Sequence, residues 1–171
     1  MGKGRITFIL GGSRSGKSSF ALDCASKLRG SKAFIATAQA FDEEMKERIE
    51  RHKKERSVDW KTFEEPTALP QILSRISEDH DVIIVDCLTL WLSNLIMNDT
   101  AVDADIESLL SAAATCPSCI FIVSNEVGMG IVPENALARR FRDLAGTLNR
   151  RVAEIANVVY LVAAGIPLKI K

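Results

Sequence analysis

Residues 6–19 read Ile6-Thr7-Phe8-Ile9-Leu10-Gly11-Gly12-Ser13-Arg14-Ser15-Gly16-Lys17-Ser18-Ser19, an apolar run that ends in a G-x-x-x-x-G-K-S loop. Strand, loop and helix start follow one another in the order of a loop built to hold the phosphates of a nucleoside triphosphate. Gly11 and Gly16 let the chain turn so tightly that the N–H groups of Gly12, Ser13, Arg14 and Ser15 converge on phosphate oxygens. The helix that follows points its positive dipole end at the same place. Lys17 is then expected to reach the β- and γ-phosphates, and Ser18 to ligate Mg²⁺. Phe20, Ala21, Ala25 and Leu28 give that helix an apolar face.

The 171 residues, 47% of them hydrophobic, suffice for one well-buried core and are too few for two ordinary domains, so a single domain over 1–171 is expected. Lysine plus arginine and aspartate plus glutamate number 22 each. No global field therefore argues for nucleic acid or an anionic membrane surface as partner. The start of the chain, Met-Gly-Lys-Gly-Arg, leads straight into a strand without the pattern of an export signal, and no apolar run reaches membrane-spanning length. Four cysteines, Cys24, Cys87, Cys116 and Cys119, are read as free thiols of a cytoplasmic protein. Cys116-Pro-Ser-Cys119 has the C-x-x-C form, yet it precedes a strand and has no second ligand pair, which argues against redox or zinc chemistry.

Apolar strand-like runs at 6–10, 33–36, 82–86, 120–124 and 158–162 alternate with helical patterns at 17–28, 42–54, 67–77, 89–97, 103–114 and 134–156. That alternation predicts an α/β fold, a mostly parallel sheet with helices on both faces, which together with the phosphate loop is read as a P-loop NTPase (RecA-like) fold. Leu137, Phe141, Leu144 and Leu148 are expected on the core side of the last helix. Two apolar runs around Ala164-Gly165-Ile166-Pro167 predict a C-terminal hairpin that adds an antiparallel edge strand.

Val82-Ile83-Ile84-Val85-Asp86 places an acidic residue at the end of a buried strand, where ligands of open α/β sheets bind. Asp86 is read as the Mg²⁺ partner, acting through a coordinated water, against the alternative of a strand-ending turn. The charged stretch 42–56 carries Phe41, Met45 and Ile49 on one face and Arg48, His52 and Arg56 on its neighbour. A histidine between two arginines suits an anionic ligand and would be kept neutral and nucleophilic, but a solvated charged helix explains the same spacing.

From end to end the chain resembles the bifunctional adenosylcobinamide kinase/adenosylcobinamide-phosphate guanylyltransferase family of cobalamin biosynthesis. The resemblance is carried by Gly11 to Ser18, Ile35-Ala36-Thr37-Ala38, Arg48-Ile-x-x-His52 with Arg56 and Trp60, Asp86-Cys-Leu-Thr89, Asn125-Glu-Val-Gly-Met-Gly-Ile-Val-Pro-Glu134 and Lys169-Ile-Lys171. It implies that His52 carries GMP covalently. It also implies nucleotide contacts at Ala36, Thr37, Ala38, Lys53, Lys54, Glu55, Arg56, Glu64 and Asp86. GTP and ATP as substrates, Mg²⁺, adenosylcobinamide as acceptor and a homotrimeric assembly follow from the same resemblance. Some relatives carry two consecutive histidines in this helix; here the first position is Arg51, which leaves His52 as the candidate.

Several residues keep two readings at this point. His80, in Glu78-Asp-His-Asp81, reads as an exposed turn residue rather than a catalytic one. Glu126 is either an orienting group for the acceptor or a turn residue with Gly128 and Gly130. Arg139, Arg140, Arg142, Arg150 and Arg151 are by default a solvated helix face, with substrate phosphate or subunit contact as the alternative. A plain P-loop small-molecule kinase would differ from the bifunctional reading only at His52. A RecA-type DNA-associated ATPase is disfavoured by the balanced charge and the lack of a basic, aromatic-interleaved segment.

Overall fold

Alternation of side chains across a pleated strand buries Ile6–Gly11 (β1) on both sides, with Phe8 on one side of the sheet and Ile9 on the other. The structure, a computed structural model, describes residues 4–39, 43, 46, 47, 59–98 and 100–171. The strands after β1 are Lys32–Ala36 (β2), Trp60–Glu64 (β3), Val82–Asp86 (β4), Cys119–Asn125 (β5), Val158–Ala163 (β6) and Ile166–Lys169 (β7). They form one seven-stranded sheet in the order β3-β2-β4-β5-β1-β6-β7. Every neighbouring pair is parallel except β6 and β7, which form the expected antiparallel hairpin.

The helices whose full extent lies among the described residues are Lys17–Ser26 (α1), Leu69–Ile76 (α2), Leu88–Met97 (α3), Val102–Thr115 (α4) and Ala136–Ile155 (α5). Both faces of the sheet are covered, but unevenly. Ala21 and Ala25 of α1 pack with Ile9, Phe34, Ile84 and Val123 on one face, and α2 to α5 share the other with Phe8, Ile35, Ile83 and Ile122. Small residues on α1 let it lie close to β4 and β5. Leu73, Leu88, Trp91 and Leu92 are wholly buried on the crowded face. Each such large side chain contributes roughly 1.5–3 kcal/mol by leaving water.

Three expectations need correction. β3 is an additional parallel strand: Trp-Lys-Thr-Phe-Glu is short, lies at the sheet edge and buries only Trp60, so its pattern carries little strand signal. Leu137 is exposed because it sits in the first turn of α5, ahead of the part that reaches the core; Phe141 and Leu144 are partly buried and Leu148 fully so. His80 is half-buried, its Nδ1 3.0 Å from the Ile76 carbonyl and its ring edge-on to Phe63 at 5.7 Å, a residue that closes the end of α2. The helix read over 42–54 lies mostly outside the described residues, as do Arg48, His52, Lys53, Lys54, Glu55 and Arg56; Glu43, Lys46 and Glu47 are helical.

Candidate functional site

At the end of β1 the chain curls into the phosphate loop and enters α1 at Lys17. Gly16, the N-cap of α1, has φ 93, and Arg14 also takes positive φ at 55. Gly11 is required by close approach, since a Cβ there would lie 2.3 Å from the Val162 carbonyl oxygen and 2.7 Å from Ser15 Oγ. Lys17 is 6% exposed, and its ammonium turns back into the curl to donate to the Gly12 carbonyl and, at 3.4 Å, to Ser15 Oγ. The first turn of α1 carries no acidic residue, and Gly16 brings no side-chain cap to it, so its amides suit an anion. The C-terminal hairpin supports this loop from outside: Gly165 N donates to Ser15 O at 2.9 Å, and Tyr160 of β6 meets Phe20 edge-on at 5.0 Å. Gly11→Ala should therefore displace β6 from the loop and cost about 2–4 kcal/mol. A urea midpoint equal to that of the unsubstituted protein would contradict the packing.

All the parallel strands deliver their carboxyl ends to the same edge. Register aligns Glu64 with Ala36, Ala36 with Asp86, Asp86 with Val123, and Gly11 with Asn125. The structure thus brings the phosphate loop, Ala36, Glu64 and Asp86 to one rim. Strand spacing sets their separations: Asp86 is two strands from the loop, roughly 10 Å, and Glu64 four strands away, roughly 19 Å. β5 stands between β1 and β4, so Asp86 and the loop lie on either side of the end of an intervening strand.

A buried polar network fixes this rim. Thr37, wholly buried, donates through Oγ1 to the Cys87 carbonyl at 2.8 Å and accepts from Cys87 N at 2.9 Å. Asn94 of α3 donates to the Thr37 and Pro66 carbonyls at 2.9 and 3.0 Å. Asn125 Nδ2 donates to Thr89 Oγ1 at 2.9 Å, and Asn149 of α5 donates to the Asn125 carbonyl at 3.1 Å while accepting from Ser124 Oγ at 2.7 Å. Thr37 is thus held as a brace behind Asp86. Asn94 and Asn149 escaped the sequence reading; the available signal was a polar residue on an apolar helix face, which in a buried setting must be satisfied. Burial, reinforced by the neighbouring Asp86, pushes the Cys87 thiol up to about 11. With Cys87 and Cys116 buried and Cys24 and Cys119 partly exposed, a thiol reagent should label the latter two in the folded protein and the former two only after unfolding. Prompt labelling of Cys87 would show that the rim opens.

Glu126 resolves toward the turn reading. Its carboxylate accepts from Gly128 N at 2.8 Å and Met129 N at 3.0 Å, while its own N–H donates to the Gly11 carbonyl at 3.0 Å. Arg139 donates to the Pro133 and Glu134 carbonyls, and Asn135 Oδ1 caps α5 by accepting from Ala138 N at 3.1 Å. Three of the other arginines make surface pairs: Arg150 with Glu154 at 3.0 Å, Arg142 with Asp143 at 2.9 Å, and Arg151 with Glu107, which ties α5 to α4 and holds the Glu107 carboxyl below its ordinary range. Among the described residues no cluster of three or more His, Cys, Asp and Glu forms a metal cage. The Ser18 hydroxyl and Asp86 carboxylate instead suit Mg²⁺, which takes one or two protein oxygens and fills the rest of its shell with phosphate and water. No helix among the described residues is long and apolar enough to cross a membrane.

Comparison with known proteins agrees over nearly the whole chain. Residues 7–170 match the family model described as cobinamide kinase / cobinamide phosphate guanyltransferase. The bifunctional adenosylcobalamin biosynthesis protein CobP of Pseudomonas aeruginosa is 44% identical over 165 residues, covering 95% of either chain. The bifunctional adenosylcobalamin biosynthesis protein CobU of Escherichia coli is 39% identical over 184 residues, covering 97% of this chain and 99% of its own. Among solved structures, flagellar accessory protein FlaH from Methanocaldococcus jannaschii aligns with a TM-score of 0.56 at 16% identity, covering 99% of this chain and 79% of that one. The KaiC-like protein PH0186 from Pyrococcus horikoshii gives 0.53 at 11%, covering 93% and 71%. These two share the fold.

Proposed function

Because the chain belongs to the cobinamide kinase / cobinamide phosphate guanyltransferase family, we propose that it phosphorylates adenosylcobinamide and then converts the phosphate to adenosylcobinamide-GDP, both steps carried by one domain. The observation that supports this most is the phosphate loop with Lys17 drawn into its curl at the rim that also carries Asp86, within a chain similar to its relatives from end to end.

In the first step the terminal phosphoryl group of ATP or GTP passes to the hydroxyl of the aminopropanol arm. The new O–P bond forms as the bond to the nucleoside diphosphate breaks. Lys17 and the loop N–H groups stabilise the charge on the transferring group. Ser18 and Asp86 would hold Mg²⁺, which when bound would supply charge neutralisation to the phosphate oxygens.

In the second step His52 attacks the α-phosphate of GTP, forming a P–N bond to GMP and releasing pyrophosphate. An oxygen of adenosylcobinamide phosphate then attacks the same phosphorus and displaces the imidazole, a group that is both a competent nucleophile near neutral pH and a good leaving group. Lys53, Lys54, Glu55, Arg56, Ala36, Ala38 and Glu64 are assigned to the nucleotide, with Thr37 positioning Asp86 from behind. A homotrimer is the proposed assembly, taken over from the resemblance. The test is product analysis: protein, Mg²⁺, GTP and adenosylcobinamide should yield the phosphate first and the GDP derivative after it. Hydrolysis of GTP with the corrinoid unchanged would overturn the reading.

A further inference from the structure

Resting on the reading just given, we propose that the exposed apolar loop at 127–132, with Leu137 behind it, is the platform on which the corrinoid acceptor lies while its hydroxyl meets the γ-phosphate. Four of its side chains stand largely in solvent: Met129 is 80% exposed, Ile131 96%, Val132 58% and Leu137 57%. Apolar side chains grouped this way on a surface mark a binding site more often than a packing failure. Nor is this loop a loose end. Glu126 holds the amides of Gly128 and Met129, Arg139 holds the carbonyls of Pro133 and Glu134, and Asn135 caps the helix that follows. Its backbone is thus set with the apolar groups outward, and an acceptor that binds there meets a preformed surface.

Position selects the occupant. The root of the loop is hydrogen-bonded to the phosphate loop, Glu126 N to Gly11 O at 3.0 Å, and Asn125 lies level with Gly11 in the sheet. An acceptor hydroxyl must come to about 3–3.5 Å from the transferring phosphorus. The bulk of a corrinoid, a wide ring with an alkylated rim, then has to rest on surface beside the loop. Of the other exposed aliphatics, Ile166 opens β7 beside Gly165 at the rim, and Leu168 and Ile170 follow the strand away from it.

The experiment is the kinase step of the full-length protein carrying Met129→Ser and Ile131→Ser, two exposed positions whose loss leaves the core intact. KM for adenosylcobinamide should rise about tenfold or more, the loss expected for two large apolar contacts. KM for GTP, labelling of the protein by GMP without corrinoid, and the mass in sedimentation should stay at wild-type values. An unchanged acceptor KM overturns the inference. So does a fall in mass with a KM that recovers at high protein concentration, which would assign the patch to a second copy. A wild-type protein that binds GTP and leaves adenosylcobinamide unmodified overturns the functional reading as well.

Discussion

Lys17→Ala is expected to slow phosphoryl transfer to adenosylcobinamide by about 10²–10³-fold, the cost of removing one fixed donor from developing charge. Lys17 is the first residue of α1, buried at 6% exposure, with its ammonium donating within the phosphate loop to Gly12 and Ser15. The loop therefore carries the Lys17 ammonium inside its curl, while its other cation, Arg14, is exposed. Steady-state rates at saturating GTP are the measurement, with thermal unfolding as the control for loop packing. If one loop holds the polyphosphate of GTP in both reactions, GMP transfer falls as well. A variant that keeps the wild-type rate would remove Lys17 from the chemistry, and one that loses only phosphoryl transfer would require a second nucleotide pose.

His52→Ala is expected to separate the two activities. Loss of a covalent nucleophile lowers turnover by about 10⁴-fold or more. His80, the other histidine, is engaged at the end of α2 with the Ile76 carbonyl and the Phe63 ring. The variant should still phosphorylate adenosylcobinamide, since Lys17, Ser18 and Asp86 are untouched, and the phosphate should accumulate. Chromatography of the products over time reads both steps at once. Continued formation of the GDP derivative would mean that the corrinoid phosphate attacks GTP directly, with no enzyme-bound intermediate.

The fold was legible because the strands that build it are buried on both faces and read as continuous apolar runs. β1, β2, β4, β5 and β6 all lie where Val, Ile, Leu and Phe cluster. β3 was not legible for the opposite reason. At the edge of the sheet a strand needs only Trp60 inside, and the alternation that would announce it is diluted by Lys61, Thr62 and Glu64. Leu137 misled because helical periodicity fixes which residues share a face but not where along the helix the core begins.

The site divides in the same way. Glycines, a lysine and a strand-ending aspartate carry their chemistry in local spacing, so the phosphate loop and Asp86 could be read directly. What holds them is long-range. The contacts of Thr37 with Cys87, Asn94 with Thr37, Asn125 with Thr89 and Asn149 with Asn125 span 24 to 57 residues. The brace of the C-terminal hairpin on Ser15 is equally non-local. No window of sequence contains such pairs, although a polar side chain within an apolar helix hints that a partner exists. For Glu126 the sequence left two roles open, and the hydrogen bonds to its own loop decided between them.

The central claim, one chain that both phosphorylates and guanylylates, is tested most directly by exposing the purified protein to Mg²⁺ and GTP labelled at the α-phosphate, then denaturing it. The account predicts acid-labile, base-stable label on the wild type, none on His52→Ala, and none on either when the label is at the γ-phosphate. GTP binding without α-label on the wild type would contradict it and leave a kinase alone.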